Sequence, residues 1–210
     1  MCVLYSFKSS PEETRALFAY VDEPDFPPRP VIAPDSPIGV VRNELGKRRF
    51  VLVRWGFIPA WAKEIKPGKP LHNARGETVL EKPSFRNAMR RRRCLIPADG
   101  YYEWRGDVPG RKQPVLVHRP DCSLFAFAGL WERWKNPADG SILRSFTIVT
   151  GAPNELCAAV HDRMPVILPK TAWPIWLGET AVPKEDLLAL LEPYPADLMR
   201  VDGHGLGRAD

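Results

Sequence analysis

The chain has 210 residues, of which 44% are hydrophobic and 26% are charged, and this composition excludes a disordered or fibrous protein. The net charge of +5 permits an anionic partner such as nucleic acid without requiring one. No stretch approaches the roughly 18 apolar residues of a membrane span, and the first residues lack a secretion signal. We therefore predict a single domain over residues 1–210 that acts as a monomer in the cytoplasm, away from the membrane.

The four cysteines and four histidines lie far apart in the sequence, without the C-x-x-C or H-x-x-x-H spacing of a zinc site. We therefore predict no bound metal, and the chemistry considered below requires no organic cofactor. In the cytoplasm the thiols are expected to stay reduced.

Cys2 follows the initiator methionine, which is removed when the next side chain is small. Removal gives Cys2 a free α-amine beside its thiol. The amine can condense with an aldehyde to an imine, and the thiol can then close onto the imine carbon as a five-membered thiazolidine. Unperturbed thiols and α-amines titrate near ~8.5 and ~7.7, so part of each is nucleophilic at neutral pH. The alternative is that Cys2 serves only as a small hydrophobic residue.

The first half of the chain predicts strands, one helix and a long loop. A strand at residues 3–5 precedes a helix that begins at Ser9 or Ser10, has Pro11 in its first turn and runs to about residue 21. Six prolines in residues 22–37 predict a constrained loop. Strands at residues 38–42 and 49–55, joined by a turn at 43–47, predict a hairpin.

The second half alternates short strands with short helices. A buried strand and a tight turn are predicted at residues 94–100, and further strands at 113–118, 124–131, 145–150 and 166–168, with a turn at 136–140. Helices are predicted from residue 84, near residue 153, and at 171–177 and 183–191. The glycine-rich end from about residue 200 is expected to fray.

Two features of the sequence each have two interpretations. Residues 55–61 are rich in aromatic side chains and are soon followed by lysines, which suits a platform for unpaired bases, although tryptophan and phenylalanine usually lie in a core. Residues 90–93 are all arginine and share the predicted helix with Arg86. This basic face is either solvated or used to bind phosphates.

Two ionisable residues stand in unusual surroundings. Glu103 lies in the run Tyr101-Tyr102-Glu103-Trp104, where a carboxylate is costly to ionise, so it is either paired structurally or tuned for proton transfer. His161 stands between an apolar residue and a charged pair and is compatible with a structural or a catalytic role.

Seven motifs follow one another in order over residues 2 to about 177. They are MC at the start, RWGFIPAWAK at 54–63, NARGET at 73–78, EKPSFR at 81–86, RCLIPADGYYEW at 93–104, AGLWE at 128–132 and HDRMPVIL at 161–168. This ordered set closely resembles the SOS response-associated peptidase (SRAP) family.

The resemblance implies an α+β fold with a β-rich, barrel-like antiparallel sheet and peripheral helices. It also implies a protein that binds single-stranded DNA and covalently captures abasic sites. The catalytic residues that it implies are Cys2, Asn73, Glu103 and His161. The DNA-contacting residues that it implies are Arg75 and Trp61, with Arg86, Thr150 and Pro34 as further candidates.

Two segments depart from the usual pattern of the family. Val3 and Leu4 follow Cys2 where the family usually has Gly-Arg, so a small residue and a cationic DNA contact are absent. The loop at residues 33–36 carries Asp35 where the family usually has an uncharged Ala-Pro-Thr type of sequence, which puts an acid where a phosphate would approach.

Two other classes of function fit the same residues. An N-terminal-nucleophile hydrolase would use the Cys2 thiol against an amide, with its own α-amine as base, and would turn over peptides rather than form a stable adduct. A non-catalytic single-strand-binding module would need only the basic and aromatic surface and would be indifferent to Cys2→Ala. Retention of Met1 would remove the free amine and with it the thiazolidine chemistry.

Overall fold

The computed structural model describes residues 3–23, 26–65, 71–106 and 112–203. The strands are, in chain order, β1 (Leu4–Phe7), β2 (Arg29–Ile32), β3 (Pro37–Glu44), β4 (Lys47–Trp55), β5 (Asn73–Arg75), β6 (Arg93–Ala98), β7 (Gly100–Arg105), β8 (Gln113–His118), β9 (Phe125–Lys135), β10 (Ile142–Gly151), β11 (Met164–Pro165), β12 (Ile167–Leu168) and β13 (Arg200–Gly203). The helices are α1 (Pro11–Phe18), α2 (Arg86–Arg91), α3 (Glu155–Ala158), α4 (Trp173–Leu177) and α5 (Lys184–Ala189), and 3₁₀ turns cover Gly76–Thr78, Lys170–Ala172 and Ala196–Leu198. Among these residues, every helix is too short to reach across a lipid bilayer.

Five strands close into a barrel. In the order β10, β4, β3, β6 and β9, each strand pairs with the next, and β9 pairs back with β10. These pairings are antiparallel except the one between β4 and β10. The short strand β5 also joins β10 in parallel. The predicted β-rich barrel with peripheral helices is confirmed.

A second, open sheet packs beside the barrel, and its strands pair antiparallel in the order β13, β8, β7, β1, β2. Tyr5 of β1 links it to the barrel, because its ring centroid lies 5.4 Å from that of Trp55 on β4 and 5.7 Å from that of Phe127 on β9. All three rings are buried, and such edge-to-face pairs contribute about 0.5–1.5 kcal/mol each beyond their burial. The barrel therefore fixes β1, and β1 fixes the neighbouring strand β7 that carries Glu103.

The predicted hairpin is confirmed as β3 and β4. Leu45 and Gly46 make its two-residue turn, with φ of 53° and 80° respectively. Two left-handed residues in succession give the mirror-image turn whose twist matches that of the flanking strands. Glycine adopts this conformation readily, whereas Leu45 adopts it with its side chain fully exposed at the hairpin tip.

The predicted start of α1 is confirmed, but its predicted end is wrong. Ser10 and Glu13 form a capping box, in which each side chain accepts a hydrogen bond from the other residue's backbone N–H. The helix ends at Phe18 rather than near residue 21, because Ala19 adopts a left-handed conformation with φ of 55°. Phe18 is buried there, and its ring stacks on Trp173 with centroids 4.5 Å apart.

Two segments predicted to be irregular contain strands. The proline-rich loop includes β2, whose strand partner within the described residues is β1 alone. An edge strand tolerates Pro30 because the absent N–H is not needed for a second partner. The end that was predicted to fray from about residue 200 instead begins with β13, which pairs with β8 over four residues. Residues 204–210 lie outside the described part of the chain.

Candidate active site

Glu103 is a buried carboxyl on β7, with 3% of its surface exposed. On one side of β7, Glu103 pairs with Val115 of β8, and on the other Leu4 of β1 pairs with Tyr102. Glu103 therefore lies next to the point where β1 begins. Burial raises the pKa of Glu103 because the ionised carboxylate loses hydration, and the charge of the nearby His161 opposes this effect. A buried carboxyl with a raised pKa is a candidate for proton transfer at a functional site.

The short helix α3 contacts β7, which carries Glu103, and also binds the backbone of His161. Tyr101, two residues before Glu103 and on the same face of β7, places its hydroxyl 3.2 Å from the thiol of Cys157 on α3. Asn154 caps α3 by accepting a hydrogen bond from the Cys157 N–H at 2.8 Å, and its amide donates to the Tyr194 carbonyl at 2.7 Å. The backbone N–H of His161 then donates to the Cys157 carbonyl at 2.9 Å. The α3 helix therefore holds His161 at a fixed position relative to β7.

The imidazole of His161 has alternative partners at one ring nitrogen. Its Nδ1 accepts a hydrogen bond from the Arg163 backbone N–H at 3.0 Å and also lies 2.8 Å from Oδ1 of Asp162. When Nδ1 accepts from Arg163, the neutral ring carries its proton on Nε2. Protonation of Nδ1 exchanges that contact for an ion pair with Asp162. A ring that keeps a partner in both states can take up and release a proton without losing its orientation.

Arg163 clamps the segment that carries His161 onto β10. Its guanidinium donates to both carboxylate oxygens of Glu77, at 2.5 and 2.9 Å, and to the carbonyl of Thr150 at 2.7 Å. The hydrogen bonds from Arg163 are the main reason that the pKa of Glu77 is lowered. Glu77 lies in the 3₁₀ turn directly after β5, so this clamp connects β5, β10 and the His161 segment.

Strand β5 places two of the predicted site residues along β10. Asn73 pairs alongside Ile148 and Arg75 alongside Thr150. Arg75 is exposed, as a DNA contact requires, and Asn73 is partly buried. Thr150 is fully buried, and its hydroxyl accepts a hydrogen bond from Arg163 at 3.2 Å, so its side chain acts here as a support for the clamp.

The other predicted DNA contacts lie on three separate segments. Trp61 is 65% exposed in a loop that is anchored to the barrel by a hydrogen bond from the Trp134 indole to the Ala62 carbonyl, at 2.7 Å. Pro34 is partly buried in the loop before β3. Arg86 is exposed at the first residue of α2, a helix that packs on β6 and β9. Of the aromatic residues at 55–61, Trp55 and Phe57 belong to the core.

The unusual acid Asp35 is held by a basic residue of its own chain. Its carboxylate lies 2.5 Å from the Arg54 guanidinium, and both charges act on His72, the residue before Asn73. Burial is the main reason that the pKa of His72 is lowered. The pair leaves little net charge beside β5, so Asp35 opposes an approaching phosphate less than an isolated acid would.

The basic run at residues 90–93 is divided between surface and interior. Arg92 forms a 2.8 Å ion pair with the buried Glu132, and Arg93 donates to the carbonyls of Trp176 and Met89 at 2.5 and 2.8 Å. Arg90 and Arg91 are exposed. The run is therefore neither a uniform solvated face nor a uniform phosphate site.

Sequence reasoning missed the role of Arg163. Its motif was recognised, but its partner Glu77 lies 86 positions away in the chain. No local spacing indicates a contact at that separation. Cys2 lies outside the described residues, so the geometry around Glu103 and His161 is given without it.

The clamp predicts a pH-dependent contribution to stability. Because the pKa of Glu77 is lowered in the folded state, its contribution is full above the ordinary pKa of a glutamate and is lost as pH falls through the lowered value. We expect Glu77→Gln to lower the free energy of unfolding by about 1 kcal/mol at neutral pH, a modest effect because Glu77 is half exposed. The difference from wild type should shrink at an acidic pH, where protonation of Glu77 removes its ion pair with Arg163. Urea unfolding at both pH values measures it, with Glu81→Gln as a control at a nearby exposed acid. An equal loss in both variants would contradict the assignment.

The chain belongs to the SOS response associated peptidase (SRAP) family, whose sequence model matches residues 1–203. It is 43% identical over 180 residues to the abasic site processing protein YoqW of Bacillus subtilis, a match that covers 86% of this chain and 80% of YoqW. It is 32% identical over 169 residues to the abasic site processing protein HMCES of Xenopus tropicalis, covering 70% of this chain and 50% of HMCES.

Solved structures show the same fold. A crystal structure of a Bordetella bronchiseptica protein matches with a TM-score of 0.83 and 31% identity, covering 98% of this chain and 100% of the other. A Bacteroides thetaiotaomicron protein matches with a TM-score of 0.85 and 24% identity, covering 95% and 90% respectively. The family and the fold predicted from the sequence are therefore both confirmed.

Proposed function

We propose that this protein binds single-stranded DNA and captures abasic sites covalently through Cys2, forming a thiazolidine that shields the lesion. The observation that carries the proposal is the placement of Glu103 and His161 close together, beside the strand that begins two residues after Cys2. The names of the relatives YoqW and HMCES, both abasic site processing proteins, support the same substrate. The reducing cytoplasm is the compartment that keeps the Cys2 thiol free.

The proposed reaction begins at the open-chain aldehyde of the abasic deoxyribose. The Cys2 amine attacks C1′, and loss of one water gives an imine. The Cys2 thiol then adds to the imine carbon, its sulfur forms the new bond to C1′, and its proton ends on the nitrogen. The product is a thiazolidine, and the net change is the release of one water. No oxidant, metal or organic cofactor takes part in these steps.

The two ionisable side chains have distinct proposed roles. Glu103 accepts the proton that the Cys2 amine must lose before it attacks, a role that fits a carboxyl with a raised pKa. His161 assists ring opening of the sugar or a later proton transfer, and its alternative Nδ1 partners allow this. Asn73, which can both donate and accept, orients the Cys2 backbone or a sugar hydroxyl.

The proposed DNA surface follows β10 from the exposed Arg75 toward the Trp61 loop. Ile58, near the start of that loop, donates its N–H to Ser145, which lies five residues before Thr150 on β10. At about 3.3 Å per residue, that separation is roughly 16 Å along β10, a length suited to a short stretch of extended single-stranded DNA. Trp61 then offers an exposed ring for a base to stack on.

Charge reversal tests this surface. We expect Arg75→Glu to weaken binding of single-stranded DNA more than Arg91→Glu, because Arg75 lies beside the site and Arg91 lies on α2. Affinity should fall as salt rises, since phosphate neutralisation releases counterions. Fluorescence anisotropy with an oligonucleotide of about 12 nucleotides at several salt concentrations measures both effects. Equal losses at the two positions, or binding that ignores salt, would contradict the proposed surface.

Substrate choice separates the proposal from the amidase alternative. The protein is mixed with an abasic single-stranded oligonucleotide and, separately, with a panel of peptides. A heat-stable protein–DNA adduct that forms once per molecule supports the proposal. Repeated turnover of peptides without an adduct would replace it with an N-terminal-nucleophile hydrolase.

A further inference from the structure

A cleft of about 880 Å³ lies on the surface between the tip of the β3–β4 hairpin, α2, α4 and α5. Its volume falls in the range of ligand-binding pockets, which is about 300–1,000 Å³. Gly76 and Glu77 form part of one wall, but the cleft includes none of the proposed catalytic residues. We call this cleft the α2–α5 groove. The proposed reaction gives it no role.

The floor of the α2–α5 groove is aliphatic. Met89 and Leu177 are buried there, and Leu80, Leu187 and Leu188 are partly buried while packing against the core. Among the described residues, no aromatic side chain lines the groove. Such a floor accommodates aliphatic side chains and lacks the flat rings on which nucleic acid bases stack.

The rim of the groove carries an excess of unpaired positive charge. Arg90, Arg91 and Lys184 are exposed there, and none forms an ion pair within the described residues. Of the two acids that line the groove, Glu77 is already held by Arg163, which leaves Glu81. Three available cations therefore face one available carboxylate.

We propose that the α2–α5 groove binds an acidic peptide segment of another protein, with aliphatic side chains seated on the floor and carboxylates against the rim. Arginine pairs with carboxylates through geometrically matched hydrogen bonds, and a peptide supplies the aliphatic side chains that a nucleic acid lacks. This assigns the exposed half of the arginine run to protein recognition rather than to phosphate binding. The assignment does not depend on the proposed reaction, because it uses none of the residues in the active site.

The test uses a fluorescein-labelled peptide of twelve residues built from Asp-Asp-Leu repeats. Its two matched controls replace every Leu by Ser or every Asp by Lys. Three variants of the full chain are compared: Arg90→Glu/Arg91→Glu on the rim, Ala181→Trp to fill the groove, and Arg133→Glu/Arg144→Glu as a control. The control makes the same change of charge at two exposed arginines on β9 and β10 that do not line the groove.

We expect saturable binding of the Asp-Asp-Leu peptide to the wild-type protein and weaker binding of both control peptides. The rim and filled-groove variants should each lose about tenfold or more in affinity, whereas the β9–β10 control should keep wild-type affinity apart from a small long-range effect. Crosslinking to abasic DNA should be unchanged in the groove variants. Peptide binding and DNA crosslinking can therefore fail independently, and each assay tests its own proposal.

Four outcomes would overturn the inference. The first is the absence of saturable peptide binding, and the second is a loss of peptide affinity in the β9–β10 control equal to that in the rim variant. The third is binding of the Ser-substituted peptide as tight as that of the Asp-Asp-Leu peptide. The fourth is a groove occupied by a second copy of this chain or by nucleic acid. Occupation by a second copy of this chain would appear as a dimer on gel filtration that the rim substitutions dissociate. Occupation by nucleic acid would appear as competition by an undamaged oligonucleotide that the rim substitutions abolish.

Discussion

Cys2→Ala is expected to abolish the heat-stable adduct with abasic single-stranded DNA. The variant keeps an N-terminal amine, which can still form an imine with the sugar aldehyde. It has no thiol to close the ring, and an imine hydrolyses on heating. The loss should therefore be complete in a denaturing gel of samples heated without reductant. Borohydride added during the incubation should trap the imine and restore a band, which would show that the variant still folds and binds.

Cys122→Ser is the matched control for this substitution. Cys122 is an exposed free thiol, so general thiol chemistry would be lost in this variant as readily as in Cys2→Ala. We expect Cys122→Ser to form the adduct at the wild-type rate. A heat-stable product from Cys2→Ala without reductant would overturn the proposed chemistry. Loss of the adduct in Cys122→Ser would assign the adduct to Cys122 instead of Cys2.

Glu103→Gln and His161→Ala are expected to slow the reaction in different ways. Glu103→Gln keeps the shape of the side chain but removes the base, so imine formation should be slow near neutral pH and partly restored as higher pH deprotonates the amine. His161→Ala should slow sugar ring opening or a later proton transfer, which additional free amine does not repair. General acid–base assistance of this kind is typically worth ~10²–10⁴-fold, so both defects should be large.

Single-turnover crosslinking rates from about pH 6 to about pH 9 separate these two roles. The expected result is a rate for Glu103→Gln that approaches wild type as pH rises, while the rate for His161→Ala stays low throughout. Parallel pH profiles, with both variants restored alike or neither restored, would mean that the two roles are assigned wrongly.

The stability of Glu103→Gln provides an independent check on its environment. The pKa of Glu103 is raised by burial, so the folded protein holds this proton to higher pH than the unfolded chain does. Ionisation therefore costs stability progressively as pH rises from the ordinary pKa of a glutamate through the raised value. Glutamine carries no such cost. Glu103→Gln should consequently gain in stability relative to wild type over this pH range, even though it reacts slowly.

Local signals in the sequence predicted much of the fold. The capping residue of α1, the hairpin of β3 and β4 and the strand β8 depend on signals within a few residues, and the structure has each of them where it was predicted. The errors occurred where a tertiary contact decides the outcome. The α1 helix ends early because Phe18 enters the core against Trp173, and Pro30 is accepted in a strand because β2 lies at an edge.

In the candidate site, too, features set by local sequence were predicted and features set by tertiary contacts were not. The surroundings of Glu103 in the sequence indicated a buried acid, and the structure confirms its burial. The contact between Tyr101 and Cys157 and the clamp between Glu77 and Arg163 could not be predicted, because each joins segments more than 50 residues apart. The run of arginines at residues 90–93 was ambiguous for a related reason, since only the fold decides which of them have internal partners.

Mass spectrometry of the N-terminal tryptic peptide shows whether the adduct forms on Cys2. Protein incubated with an abasic oligonucleotide is digested with nuclease and then with trypsin, which cleaves after Lys8. We expect a peptide of residues 2–8 without Met1 that carries the sugar remnant, with fragmentation placing the added mass on Cys2. A peptide that retains Met1, or an adduct located on a lysine with residues 2–8 unmodified, would contradict it.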